Sequence, residues 1–129
     1  MSGHILIVDD DVDAATAAAL VLRRAGHAVD VCHSGRDALQ HAGQALFDLI
    51  LLDINMPGMD GWEVLRILKA DPATAPIPVA MFSVRGEVRD KVHGLQNGAL
   101  DYIGKPFAVD ELAERVDAIL RRAVTGGPA

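Results

Sequence analysis

Apolar residues in this chain fall into five short runs separated by longer stretches with a helical period. The runs are HILIV (4–8), AVDVC (28–32), DLILLD (48–53), IPVAMFS (77–83) and DYIG (101–104), and each reads as a strand. Several are continuous rather than alternating, as expected of strands covered on both faces. Between and after them lie helix-length segments at 13–25, 35–43, 61–70, 86–96 and 109–122. Ser34, followed by Asp37, and Asp60, followed by Glu63, are start signals for the second and third of these. Val88, Val92 and Leu95 share a face in the fourth, and Leu112, Val116, Ile119 and Leu120 form one stripe in the fifth. The last segment opens with acids and closes with Arg121 and Arg122, which suits the helix dipole. Strand–helix alternation repeated five times predicts an α/β fold, a five-stranded parallel sheet with helices on both faces.

In such sheets ligands gather beyond the carboxyl ends of the strands. Asp9, Asp10 and Asp11 follow the first predicted strand, Asp53 ends the third, Ser83 ends the fourth, and Lys105 and Pro106 follow the fifth. One edge of the sheet therefore collects acids, a hydroxyl and an ammonium. Clustered carboxylates raise each other's pKa, and a hard divalent cation removes that penalty. Mg2+ takes oxygen ligands, and Asp10, Asp53 and the backbone carbonyl of Asn55 are candidates, with Asp9 acting directly or through water. Asp53 is then a candidate nucleophile towards phosphorus. Lys105 and Ser83 are candidates to neutralise the phosphoryl oxygens.

Composition narrows the functional classes. The chain has 129 residues, enough for one domain with a core that needs no staple. Half of it is hydrophobic and the formal net charge is −6, which argues against direct nucleic-acid binding. A single cysteine, Cys32, reads as a small buried hydrophobe and fits a reducing compartment. No segment reaches the apolar length of a membrane span, and HILIV is too short for a signal-peptide core, so a cytoplasmic location is expected. The histidines at 4, 27, 33, 41 and 93 show no shared ligand spacing and read as surface or satisfied residues. Trp62 is expected to pack at the start of its helix. Residues 1–123 are expected to form the domain and 124–129, ending GGPA, a flexible tail.

Taken in order, ILIVDDD, DLILLDINMPGMDGWEVL, MFS and NGALDYIGKPF resemble the receiver domains of two-component response regulators, over residues 4–122. The resemblance implies a flavodoxin-like (βα)5 fold with strand order 2-1-3-4-5. It implies phosphorylation of Asp53 by a sensor histidine kinase or a histidine-phosphotransfer protein. Asp9 and Asp10 match the acidic pair, Asp10 as the direct Mg2+ ligand, and Asn55 matches the residue whose carbonyl binds the metal. Ser83 matches the hydroxyl position, Lys105 the phosphate-binding lysine, and Tyr102 the aromatic switch position. The 105–106 peptide bond matches a cis peptide. The implied output is an altered affinity of the face made by segment 86–96, the fifth strand and the last helix for an unidentified downstream protein, with phosphorylation-dependent dimerisation as a variant. Turnover as an enzyme is not implied beyond slow self-dephosphorylation.

Some positions depart from that pattern. Val84 stands where a small residue is usual and is expected to narrow access to the phosphoryl group. Arg85 occupies a position that tunes phosphoryl lifetime. Gly104 replaces a larger residue, Ala108 a frequent helix cap, and the alanine-rich 14–19 a more polar first helix. Other readings fit less well. A non-phosphorylated relative of the same fold predicts a lost acid or lysine, and none is lost. An aspartyl phosphohydrolase predicts D-x-D-x-T, but Asn55 stands at the second acid. No G-x-G-x-x-G or G-x-x-x-x-G-K-[ST] follows the first strand, which disfavours dinucleotide binding.

Overall fold

The structure, a computed structural model, describes residues 2–84, 98–105 and 107–125, excluding the side chains of 83, 84 and 123–125. In chain order these form β1 (His4–Val8), α1 (Val12–Arg24), β2 (Ala28–Cys32), α2 (Gly35–Gln44), β3 (Leu49–Asp53), α3 (Gly61–Ala70), β4 (Val79–Val84), β5 (Asp101–Lys105) and a C-terminal helix (Val109–Thr125). The strands form one parallel sheet in the order β2-β1-β3-β4-β5, as the resemblance implied. The helix expected over 86–96 and the peptide bond between 105 and 106 lie outside the described residues.

Strand alternation sends side chains into two separate cores. Leu6, Val8, Ile50, Leu52, Val79 and Met81 pack with Ala38, Val64, Leu65 and Leu68, under α2 and α3. Ile5, Ile7, Leu49, Leu51, Ala80, Phe82 and Ile103 pack with Ala15, Ala18, Leu22, Leu112, Val116 and Ile119, under α1 and the C-terminal helix. All five residues of β3 are buried, which explains the unbroken apolar run 49–52. Ala15, Ala18 and Ala19 of α1 form its buried face, together with Leu22.

The start signals act as expected. The Ser34 hydroxyl accepts from the Asp37 N–H at 3.1 Å, and the Asp60 carboxylate from the Glu63 N–H at 3.0 Å. Asp11 caps α1 by accepting from the N–H groups of Asp13 and Ala14.

Among the boundaries that differ from the sequence expectation, three stand out. β4 begins at Val79 rather than 77, because Pro78 has no N–H for the ladder and contributes only its carbonyl, to Ile50. Lys105 is the last residue of β5, in register with Val84, not a loop residue beyond it. The C-terminal helix runs to Thr125, since the first helix-breaking residue after the apolar stripe is Gly126.

Candidate functional site

β1 and β3 are neighbours, so their carboxyl ends deliver Asp9, Asp10 and Asp53 to one place. One carboxylate oxygen from each lies within 4.8 Å of the other two. Asp9 is fully buried, Asp53 is 4% exposed, and Asp10 faces solvent. The Lys105 ammonium reaches them from β5, donating to Asp9 Oδ2 at 2.7 Å and standing 3.7 Å from Asp53 Oδ1. It also lies over the Phe82 ring, 5.0 Å from the centroid. Asp9, Asp53, Phe82 and Lys105 all sit on the α1 side of the sheet by the parity of their strands.

Asp9 is the most constrained of the acids. Its Oδ1 accepts from the Asp11 N–H at 3.0 Å, its backbone N–H donates to the Cys32 carbonyl, and its own carbonyl accepts from the His33 ring at 2.9 Å. Asp53 carries the electrostatic strain. Burial, and then the adjacent Asp9 charge, push its pKa up to about 7, against the opposing pull of Lys105 and of the Asn55 backbone N–H. Two buried carboxylates that share one ammonium, with a third carboxylate at the rim, form an oxygen-rich donor set that suits a hard cation. The residues present therefore fit a Mg2+ ion.

The turn after Asp53 is shaped by a residue whose importance the sequence reading did not single out. A Cβ on Gly61 would fall against the Asp53 carbonyl and 2.8 Å from the Ile54 Cα, while the Gly61 N–H donates to the Ile54 carbonyl at 2.8 Å. The start of α3 thus rests directly on the end of β3, and only glycine fits between them. Phe82 and His33 were likewise given no site role by the sequence: Phe82 stood only as part of the MFS motif and His33 only as a surface or satisfied residue, and both become neighbours of the acids through strand register.

The remaining expected site residues are placed less closely. Asn55 is exposed two residues past Asp53. Ser83 follows Phe82, the register partner of Asp53, at the same sheet edge, and its side chain lies outside the described residues. Tyr102 is in register with Met81 and packs partly buried against the α2–α3 core, on the opposite face of the sheet from Lys105. Its carbonyl accepts from Arg115 at 2.7 Å, and Arg115 and Arg122 both pair with Asp101. Cys32 is a buried free thiol, its pKa raised to about 11 by burial. Trp62 packs against the α2–α3 core as expected. Among the described residues, no histidine belongs to a metal-ligand cluster, and no helix is long and apolar enough to cross a membrane.

Comparison with known proteins places the chain in a family. Residues 5–117 match the response regulator receiver domain family. The transcriptional regulatory protein YkoG of Bacillus subtilis (strain 168) is 43% identical over 121 residues, covering 93% of this chain and 52% of that protein. The DNA-binding dual master transcriptional regulator RpaA of Synechocystis sp. is 42% identical over 119 residues, covering 92% of this chain and 49% of that one. The chain thus spans about half the length of these curated relatives. Among solved structures, the receiver domain of the Francisella response regulator 1452 superposes with a TM-score of 0.84 at 32% identity, covering 93% of this chain and 98% of that one. With the strand order, the acid cluster and the family match in agreement, the chain belongs to the response regulator receiver domain family of two-component systems.

Proposed function

We propose that Asp53 accepts a phosphoryl group from a sensor histidine kinase or a histidine-phosphotransfer protein in a Mg2+-dependent reaction. The single observation that supports this most is the buried Asp53 carboxylate, grouped with Asp9 and Asp10 and approached by the Lys105 ammonium. In the transfer, an Asp53 carboxylate oxygen bonds to phosphorus as the phosphorus–nitrogen bond of the donor phosphohistidine breaks. The imidazole leaves with the electron pair and takes up a proton. Asp9, Asp10, Asp53 and the Asn55 carbonyl would hold Mg2+, which when bound offsets negative charge on the carboxylates and a phosphoryl oxygen. Lys105 moves from Asp9 towards a second phosphoryl oxygen, a short shift given its 3.7 Å distance from Asp53. The Ser83 hydroxyl is assigned to the third.

The product is a signalling state, not a released compound. Phosphorylation shifts a two-state equilibrium, with Tyr102 as the aromatic switch. The face of segment 86–96, β5 and the C-terminal helix then changes its affinity for a downstream protein or a second phosphorylated copy. Loss of the phosphoryl group is slow self-dephosphorylation, since Asn55 stands where a phosphohydrolase carries its acid. The relatives named as transcriptional regulators, one of them as DNA-binding, are about twice as long, which supports a receiver serving a larger cytoplasmic regulator; the chain's net charge of −6 supports its making no nucleic-acid contact itself.

Intact-protein mass spectrometry after incubation with a small acyl phosphate and Mg2+, or with a phosphorylated histidine kinase, tests this reading. One added phosphoryl group on the wild type and none on Asp53→Ala is expected. Equal modification of both proteins rejects Asp53 as the acceptor.

A further inference from the structure

Beyond the acids and the lysine, we propose that His33 is a positioning residue for the cation site, acting through the Asp9 backbone. The inference rests on the cation reading above. The paired residues of β1 and β2 end at Val8 and Cys32, and one further ladder bond joins the Asp9 N–H to the Cys32 carbonyl at 3.1 Å. The next group along β1, the Asp9 carbonyl, would then have no strand N–H to accept from. His33 Nδ1 stands 2.9 Å from it. A carbonyl only accepts, so Nδ1 carries the proton and the ring stands in for the missing ladder donor. The β1–β2 zipper is thereby extended one residue, to the peptide that joins Asp9 to Asp10.

That peptide sets the directions of both carboxylates. Asp9 is held from three sides: Asp11 N–H on Oδ1, Lys105 on Oδ2, and His33 on the carbonyl. Asp10 is exposed, and no described hydrogen bond holds its side chain. Its aim therefore depends on the backbone on either side. The Asp11 contacts fix the side towards α1, and His33 fixes the side towards the sheet. The histidine is not among the proposed cation ligands, and its effect is on geometry.

Calorimetric Mg2+ titration of the full chain, alongside thermal unfolding in chelator and in excess Mg2+, tests this assignment. His33→Ala and His33→Leu, which remove the donor, should weaken Mg2+ binding by about two- to tenfold, the range one modest hydrogen bond spans. His33→Asn places an amide N–H where Nδ1 was and should keep wild-type affinity, as loss of ring packing alone would not allow. The Mg2+-induced rise in unfolding temperature should follow the same order. Unchanged affinity in the Ala and Leu variants, or equal loss in Asn, overturns the role of His33 while leaving the acceptor reading intact. A wild type that binds no Mg2+ overturns both.

Discussion

The Lys105 ammonium is 2.7 Å from Oδ2 of Asp9, a full ångström nearer than it comes to Asp53. In the unmodified protein, then, the lysine serves the fully buried acid and leaves the acceptor comparatively uncompensated. Removing it strands both. Lys105→Ala should lower stability in chelator by about 3 kcal/mol, the lower end of the range for breaking a buried ion pair, because the lysine is partly solvated. Urea unfolding at neutral pH measures this, and phosphoryl uptake at Asp53 should fall with it.

Asp53→Asn should have the opposite effect on stability. The Asp53 pKa rises in the folded state to about 7. The stability it contributes is therefore complete below the ordinary carboxylate value and is lost as pH climbs towards 7. An asparagine does not ionise, so the variant in chelator should be more stable than wild type by about 1–2 kcal/mol above neutral pH and should lack that downward slope. Urea midpoints across the pH range give the answer; a variant less stable than wild type at high pH contradicts it.

Gly61→Ala sets two effects against each other. Alanine favours a helix over glycine by up to about 1 kcal/mol, but its Cβ would meet the Asp53 carbonyl and the Ile54 Cα, both backbone and unable to swing aside. The clash wins, and a net loss of about 1–3 kcal/mol is expected from overpacking. Slower phosphorylation should accompany it, since the end of β3 must shift to make room. Chemical denaturation and the phosphorylation rate, measured on one preparation, check both.

His27 should make the protein sensitive to mild acid. It is buried, accepts from the Gly3 N–H at 3.0 Å through Nδ1, and its pKa is lowered by burial, with Asp117 opposing. A depressed histidine pKa gives stability that is present above the ordinary value of 6.5 and lost as pH falls through the folded value. His27→Asn keeps an acceptor near the Nδ1 position without the titration, so the loss below neutral pH should shrink. Asp53 slopes the other way in this window, so the comparison is cleanest in an Asp53→Asn background, by thermal unfolding.

The strands and caps were legible because their causes are local. Leu49–Leu52 read as a two-sided strand, and it is one; Ser34 and Asp60 read as caps, and each accepts the N–H three residues on. The meeting of Asp9, Asp10 and Asp53 followed from the rule for parallel sheets and from the family resemblance. The partner of Lys105 was not legible, because it depends on which carboxylate lies deeper, a property of packing between β1, β3 and β5. The placement of Tyr102 was available and unused: three residues apart on an extended strand puts it on the opposite face from Lys105. Gly61 stood only as the first residue of the predicted helix 61–70, since the need for glycine there comes from the backbone of β3 arriving beneath it.

The acid cluster has one further consequence, in electroneutrality. With all groups ionised, three carboxylates against one ammonium leave two negative charges unmatched, the complement of one divalent ion and not of a monovalent one. Sodium or potassium at ordinary concentrations leaves the deficit half filled, so ionic strength alone should not substitute for a divalent salt in calming the repulsion at the end of β3.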